Sequence, residues 1–261
     1  MPNAESPIER STLAFFVVVA AVSLPIWLAG QVLGTDILPG VPISALMTLV
    51  PGVVAFVFVV RVTRFSAAVQ WVANALRPRA IGQGRWLLVA ALMPAVILTV
   101  TYWIMELGGS QLPAAQLSAA NVAMLVAIFL LPAVLEEVGW CSFALIALQR
   151  RMSALEASLL IGIVWALWHF VPLLQADRSF EWIAWWSVTT IALRVLTTWV
   201  FNNTGGSALL AAVFHASENV SWQSFPIQGS HYDPAVHALV LGAVCCFVVA
   251  IFGPRALVRR A

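Results

Sequence analysis

Two adjacent glutamates, Glu136 and Glu137, lie inside a long run of otherwise apolar residues. Two histidines, His169 and His215, and an amide, Asn219, follow inside later apolar runs. A glutamate in apolar surroundings can act as general base on a water molecule and later return the proton. Neutral imidazoles either bind a metal ion or, with an Asn amide, donate hydrogen bonds to an oxyanion. Amide hydrolysis needs these roles, and a proton relay in a transporter would use the same groups.

Helical spacing predicts which of these side chains share a cavity. Trp165 and His169 are one helical turn apart, as are His215 and Asn219, so each pair points from one face of its helix. Adjacent glutamates diverge by about 100° around a helix. The sequence therefore predicts one carboxylate facing a cavity and the other facing a neighbouring helix.

The composition predicts the elements that position these groups. Hydrophobic residues make up 62% of the 261 residues and charged residues only 9%, which lies outside the range of soluble domains. A bilayer core of about 30 Å requires about 20 apolar residues per helix. We expect an all-α, polytopic membrane protein with one domain, 1–261, a motif-bearing core at about 121–222, and a bundle of about eight transmembrane helices. The expected spans are 12–34, 42–61, 86–107, 121–149, 154–175, 182–201, 206–222 and 235–253.

All thirteen basic residues are arginines, and their distribution predicts the orientation of the chain. With a cytoplasmic amino terminus, Arg178 falls outside, Arg194 lies within a span, and the other eleven fall on the cytoplasmic side. The positive-inside rule then favours an even number of spans and both termini in the cytoplasm. The eleven are Arg10, Arg61, Arg64, Arg77, Arg79, Arg85, Arg150, Arg151, Arg255, Arg259 and Arg260.

The same features predict the location and the partners of the protein. The absence of lysine and the high content of Ala, Val, Leu and Arg favour a GC-rich bacterial genome, and hence a multi-pass protein of the cytoplasmic membrane. The first apolar run is too long for a signal-peptide core, so we expect it to be an uncleaved anchor. Arginines beside a membrane do not form a binding stripe, so the expected partners are lipid and a membrane-associated protein or peptide, with no nucleic acid.

Ionisable groups inside a bilayer usually face the bundle interior or a water-filled cavity. Four consecutive predicted spans hold six of them: Glu136, Glu137, His169, Arg194, His215 and Glu218. Glu218 has two interpretations, an outward position near the end of a short span or a contact that orients an imidazole. His231 and His237 fall in or beside the last outer loop and are interpreted as ordinary surface or interfacial residues.

Three motifs in this order resemble the CPBP family of intramembrane proteases, also called the CAAX protease and bacteriocin-processing or Abi family. They are EEVGW at 136–140, WALWHFVP at 165–172 and NNTGGSALLAAVFHASEN at 202–219. The resemblance covers about half of the chain, from the fourth to the seventh predicted span. It implies an eight-helix fold in which a water, activated in a cavity within the bilayer, hydrolyses a peptide bond.

The resemblance also implies a role for each matching residue. Glu136 corresponds to the catalytic glutamate and Glu137 to its neighbour in the motif, while His169 holds or polarises the water. His215 and Asn219 correspond to the pair that stabilises the oxyanion or completes a metal site. Glu136, His169 and His215 together could ligate zinc, although no HExxH motif is present. Both a metalloendopeptidase and a glutamate mechanism without a divalent metal stay open.

The chain departs from the family pattern at two positions. Cys141 stands where the family usually has an arginine, four residues after the second glutamate, so a buried carboxylate loses its guanidinium. We expect Arg194 to replace it by pairing with Glu137, and we interpret Cys141 as a small packed thiol, with a zinc ligand or a nucleophile as the alternative. Trp165 stands where the family usually has Phe, and it keeps an aromatic wall.

The expected function is an intramembrane endopeptidase acting on a membrane-associated protein or peptide. The missing arginine leaves open a catalytically impaired family member that acts as a binding or regulatory scaffold in the membrane. A proton-coupled transporter is the third interpretation. Transporters of that kind commonly show inverted repeats with matched broken helices, and the two halves of this chain show no convincing similarity.

Overall fold

The computed structural model describes residues 12–34, 36–38, 41–77, 83–114 and 118–259. These residues are helical except for loops and one short antiparallel hairpin, β1 (Asp36–Leu38) with β2 (Val41–Pro42). A 3-10 segment, Ile43–Leu49, precedes the second α-helix, and a π-helical segment, Val138–Leu145, joins the fifth to the sixth. The α-helices are α1 (Thr12–Leu33), α2 (Val50–Val62), α3 (Phe65–Ala75), α4 (Gln83–Leu107), α5 (Ala119–Glu137), α6 (Ile146–Gln149), α7 (Ala154–Trp168), α8 (Phe170–Gln175), α9 (Phe180–Asn203), α10 (Ala208–Ser224) and α11 (Pro234–Phe252).

Seven helical stretches in the described part of the chain are long and apolar enough to cross a membrane. They are α1, Ile43–Val62, α4, Ala119–Gln149, Ala154–Gln175, α9 and α11. The protein is therefore a multi-pass membrane protein, and these stretches match the predicted spans to within three residues at each end. Its orientation in the membrane stays a prediction, and Arg10, Arg79 and Arg260, which contributed to it, lie outside the described residues.

Seven of the eight predicted spans correspond to stretches of membrane-crossing length among the described residues, and the total of eight stays a prediction. The predicted span 206–222 corresponds to α10, which has only 17 residues and at 1.5 Å per residue is shorter than a hydrocarbon core of about 30 Å. This helix packs against α4, α5 and α9, so most of its side chains face protein. It can be short because its neighbours enclose it.

Small residues bring α10 close to the helix that carries the glutamate pair. Ala212 and Ala216 on α10 and Ala133 on α5 are buried in one cluster. Small side chains let membrane helices approach closely. The close approach places the polar residues of α10 beside the end of α5.

Two glycines allow α2 to cross the end of α5 in backbone contact. A Cβ added at Gly139 would lie 2.6 Å from the carbonyl carbon of Pro51, and one added at Gly52 would lie 2.6 Å from the Leu135 carbonyl oxygen. No side chain fits in either gap. Gly139 belongs to the π segment, whose eight residues are all buried, so the wide turns beside the glutamate pair are held in place by α2.

Helix α3 was not predicted from the sequence. This helix has 11 residues, too few to span a bilayer, and it lies between α2 and α4 with Arg64 and Arg77 beside its ends. Phe65 and Val69 are exposed on it. Such a helix is suited to the membrane interface, where apolar side chains meet lipid and arginines meet headgroups.

Candidate active site

Glu136 is held at the end of α5 by two tryptophans. Its carboxylate oxygen Oε2 accepts a hydrogen bond from Trp165 Nε1 at 2.7 Å and from Trp140 Nε1 at 3.2 Å. Trp140 comes from the π segment and Trp165 from α7, so two elements fix one oxygen. Glu136 is only 2% exposed, and Oε1 is left as the oxygen available to a water molecule.

Glu137 points away from Glu136 into a fully buried ionic cluster. Its Oε2 lies 2.6 Å from Arg194 Nη1 and accepts from the Cys141 thiol at 3.0 Å. Its Oε1 lies 3.0 Å from His215 Nδ1. The predicted pairing of Arg194 with Glu137 is thus present, and the two carboxylates diverge as the helical spacing predicts. Arg194 comes from α9, so the ion pair ties that helix to α5.

The indole of Trp165 lies between the Glu136 carboxylate and the Arg194 guanidinium. The guanidinium of Arg194 stands 4.2 Å from the centre of its ring, a distance at which a cation is attracted to the ring face. The same indole donates its N–H to Glu136. Sequence reasoning assigned Trp165 only an aromatic wall, and it missed this hydrogen bond, which phenylalanine could not make.

His169 occupies the junction between α7 and α8, where the chain leaves the regular helix. Its Nδ1 lies 2.8 Å from the carbonyl oxygen of Trp165. A carbonyl oxygen only accepts hydrogen bonds, so Nδ1 carries the proton and, in the neutral ring, Nε2 keeps its lone pair. The ring is packed by Trp168 and Trp186, with centroid distances of 5.0 and 5.2 Å. The imidazole is therefore fixed with a basic nitrogen free.

His215 and Asn219 lie one turn apart on α10. The Nδ1–H of His215 donates to the carboxylate of Glu137, which fixes the ring plane and leaves Nε2 as its other polar atom. The ring also meets Trp165 edge to face at 5.0 Å. Asn219 reaches the same cavity as His215.

One cavity of about 270 Å³ joins most of these groups. Five of the residues predicted for the site line it: Glu136, Trp165, His169, His215 and Asn219. Its remaining wall is mainly apolar and includes Phe129 and Pro132 of α5 and Leu193 of α9. Glu137, Arg194 and Cys141 are not among the lining residues, and they form a charged layer behind it.

His237 was predicted to be an ordinary surface or interfacial residue, and this prediction is wrong. The side chain lies on α11 and is 0% exposed. Its Nε2 is 3.0 Å from Glu218 Oε1, and its Nδ1 is 3.0 Å from the Thr101 hydroxyl. Glu218 is buried too, so its outward placement is also wrong: it contacts an imidazole, although not one of the two predicted site histidines. The misplacement of His237 arose because it is only the fourth residue of α11 and seemed to belong to the loop.

A metal ion does not fit the donor atoms as they are arranged. Among the described residues, no three His, Cys, Asp or Glu side chains are grouped closely enough to hold one. Glu136 already binds two indoles through Oε2, and His169 and His215 are directed by bonds to Trp165 and Glu137. Cys141 is a buried thiol that bonds to Glu137.

Comparison with known proteins gives two matches. Residues 118–221 match the family model described as type II CAAX prenyl endopeptidase Rce1-like. Over 152 residues, the chain is 31% identical to the CAAX prenyl protease 2 of Methanococcus maripaludis, a match that covers 53% of this chain and 56% of that protein. The chain thus spans about half the length of the curated relative it matches. The family segment contains every residue of the predicted site.

Proposed function

We propose that this chain is an intramembrane endopeptidase, because residues 118–221 match the Rce1-like model of type II CAAX prenyl endopeptidases, which are proteases. Its substrate is a peptide bond of a membrane-associated protein or peptide. The observation that carries the proposal is the Glu136 carboxylate, which is fixed through one oxygen and shares a cavity with the free nitrogen of His169.

In the first step, Glu136 acts as the general base. A water in the cavity donates one proton to Glu136 and a hydrogen bond to Nε2 of His169, so its lone pair is directed at the substrate carbonyl carbon. As the C–O bond forms, Glu136 takes the proton. A positioned general base of this kind contributes about 10²- to 10⁴-fold to the rate.

In the second step, the negative charge on the carbonyl oxygen is stabilised from α10. The side-chain amide of Asn219 donates one hydrogen bond, and His215 donates a second from Nε2 when its ring is protonated. Glu137 accepts from Nδ1 of His215, so it positions that ring without touching the substrate. When the C–N bond breaks, Glu136 returns its proton to the leaving amine.

The test is cleavage of a quenched peptide library by the purified protein in liposomes. Glu136→Gln is expected to lower the rate by about 10²- to 10⁴-fold, and His169→Ala to lower it strongly. Glu156→Gln is the matched control, because Glu156 caps α7 away from the cavity and Gln can keep that capping box. If Glu136→Gln cleaves the peptides at the wild-type rate, Glu136 is not the general base.

The same assay distinguishes two alternatives. Since the donor atoms do not form a metal site, cleavage is expected to continue in the presence of a chelator. If the chelator abolishes cleavage and only added zinc recovers it, the protein is a metalloprotease. The wild-type protein could instead cleave no peptide, yet capture a membrane partner as well as the Glu136→Gln variant does. That result would show that the protein acts as a scaffold.

A further inference from the structure

The helix bundle has one end that carries nearly all of the arginines, which we name the arginine end. Its described residues belong to the connections from α2 through α3 to α4, from α6 to α7 and from α9 to α10, and to the segment after α11. Hydrogen bonds join these parts: Ala154 N donates to Arg255 O at 2.9 Å, and Asn202 Nδ2 donates to Ala256 O at 2.8 Å. Trp86 at the start of α4 packs on the end of α9.

The described arginines are distributed very unevenly between the two ends. One, Arg194, is buried in the bundle and one, Arg178, lies at the opposite end. The others lie at the arginine end: Arg61, Arg64, Arg77, Arg85, Arg150, Arg151, Arg255 and Arg259.

The opposite end, which we name the mouth end, is rich in acidic residues. Its described residues belong to the β1–β2 hairpin and to the connections from α4 to α5, from α8 to α9 and from α10 to α11. Its parts are also joined, because Gln175 Nε2 donates to Trp27 O at 2.9 Å and the rings of Trp182 and Tyr232 lie 6.1 Å apart. Its acidic residues are Asp36, Glu106, Asp177, Glu181 and Asp233.

The catalytic cavity reaches the surface at the mouth end. Ile37, Val41, Arg178, Trp182 and Tyr232 all belong to that end and all line the cavity. Ile37 is 45% exposed, so the wall it forms is continuous with the protein surface. Within the described part of the chain, no lining residue belongs to the arginine end.

Arginine-rich short loops stay in the cytoplasm when membrane proteins insert. We therefore propose that the cavity opens on the extracytoplasmic side, and that its substrate is a polypeptide segment exposed on that side of the membrane. The substrate part of this inference rests on the proposed endopeptidase function, whereas the orientation part does not.

The chemistry of the rim agrees with a peptide occupant. The guanidinium of Arg178 lies 4.8 Å from the centre of the Trp182 ring, which offers a cation beside an aromatic surface. Burial raises the pKa of the Tyr232 hydroxyl well above its ordinary value, so this group stays a neutral hydrogen-bond partner. Apolar walls below the rim accept side chains, while the polar rim can meet a backbone or a carboxylate.

Cysteine labelling in intact bacterial cells tests the orientation. The starting protein carries Cys245→Ala and Cys246→Ala and keeps the buried Cys141. Glu181→Cys reports the mouth end and Arg255→Cys the arginine end, and both positions are exposed. A membrane-impermeant maleimide is expected to label Glu181→Cys in intact cells and Arg255→Cys only after permeabilisation. The reverse pattern would overturn the proposal and indicate cytoplasmic substrates.

Peptide cleavage on spheroplasts tests the substrate side. A membrane-impermeant quenched peptide added outside is expected to be cut by cells with the wild-type protein and not by cells with Glu136→Gln. Cleavage found only when the peptide is on the cytoplasmic side would overturn the inference. If labelling places the mouth outside and no peptide is cut from either side, the orientation is supported and the endopeptidase function fails.

Discussion

Arg194 Nη1 lies 2.6 Å from Glu137 Oε2, and both side chains are completely buried. Cys141, four residues after Glu137, contacts the same carboxylate oxygen. The cation therefore reaches the glutamate from α9, across the bundle, instead of from the next turn of its own helix. A buried carboxylate needs a cationic partner, and that partner can come from any segment of the chain.

Removing Arg194 is expected to leave Glu137 as an uncompensated buried charge. Arg194→Ala should lower the free energy of unfolding by about 3–5 kcal/mol and abolish cleavage. The measurement is thermal unfolding in detergent together with the peptide assay.

The double variant Arg194→Ala with Cys141→Arg provides the reciprocal test. It returns a cation from the π segment after α5 into the space that Arg194 vacated, so part of the stability and of the activity should be recovered. An Arg194→Ala protein with wild-type unfolding and cleavage would contradict the role of the ion pair.

Trp165→Phe is expected to slow catalysis while preserving the fold. The ring that packs on Arg194 remains, but the hydrogen bond to Glu136 is lost. A hydrogen bond to a charged group contributes about 1.5–3 kcal/mol, so kcat should fall about tenfold to a hundredfold. Trp103→Phe, on a lipid-facing tryptophan that is 59% exposed, should leave kcat unchanged. Equal rates in both variants would show that the indole does not hold the base.

Gly139→Ala is expected to destabilise the protein because the new methyl group meets the Pro51 backbone. Overpacking of this kind costs about 1–3 kcal/mol, and separating α2 from α5 would also displace Glu136. The control is Gly242→Ala on α11, where an added Cβ meets nothing within 4 Å and higher helix propensity favours alanine. Comparable unfolding temperatures for the two variants would contradict the close crossing.

Glu218 and His237 are expected to be energetically coupled. Glu218→Gln and His237→Gln should each destabilise the protein, and the double variant should cost less than their sum, with an interaction energy of about 0.5–3 kcal/mol. His231→Gln, at the neighbouring loop, should instead be additive with Glu218→Gln. Additivity in both pairs would mean that the 3.0 Å contact contributes nothing to stability.

Sequence patterns predicted most of the bundle because hydrophobic length is a local property. The ends of α5–α6, α7–α8 and α9 followed from apolar runs, and the pairing of Arg194 with Glu137 followed from the cost of a lone charge in a membrane. The helical period correctly separated Glu136 from Glu137. These are features that one segment, or one energetic rule, determines.

Features that depend on contacts between distant segments were missed. The indole donors to Glu136 were not predicted, because the sequence around Trp165 does not determine the orientation of its ring. The burial of His237 depends on contacts with Thr101 of α4 and Glu218 of α10. Gly52 and Gly139 carry no signal until the crossing of α2 and α5 is known.

The shortness of α10 has a consequence for biogenesis. With 17 residues that include His215, Glu218 and Asn219, it is poorly suited to enter a bilayer unaided, since a charged side chain at the membrane centre costs about 3 kcal/mol on insertion scales. The energetic cost of its polar residues falls only after α4, α5 and α9 surround them. We therefore expect His215 and Asn219 to complete the candidate site only after these helices have assembled.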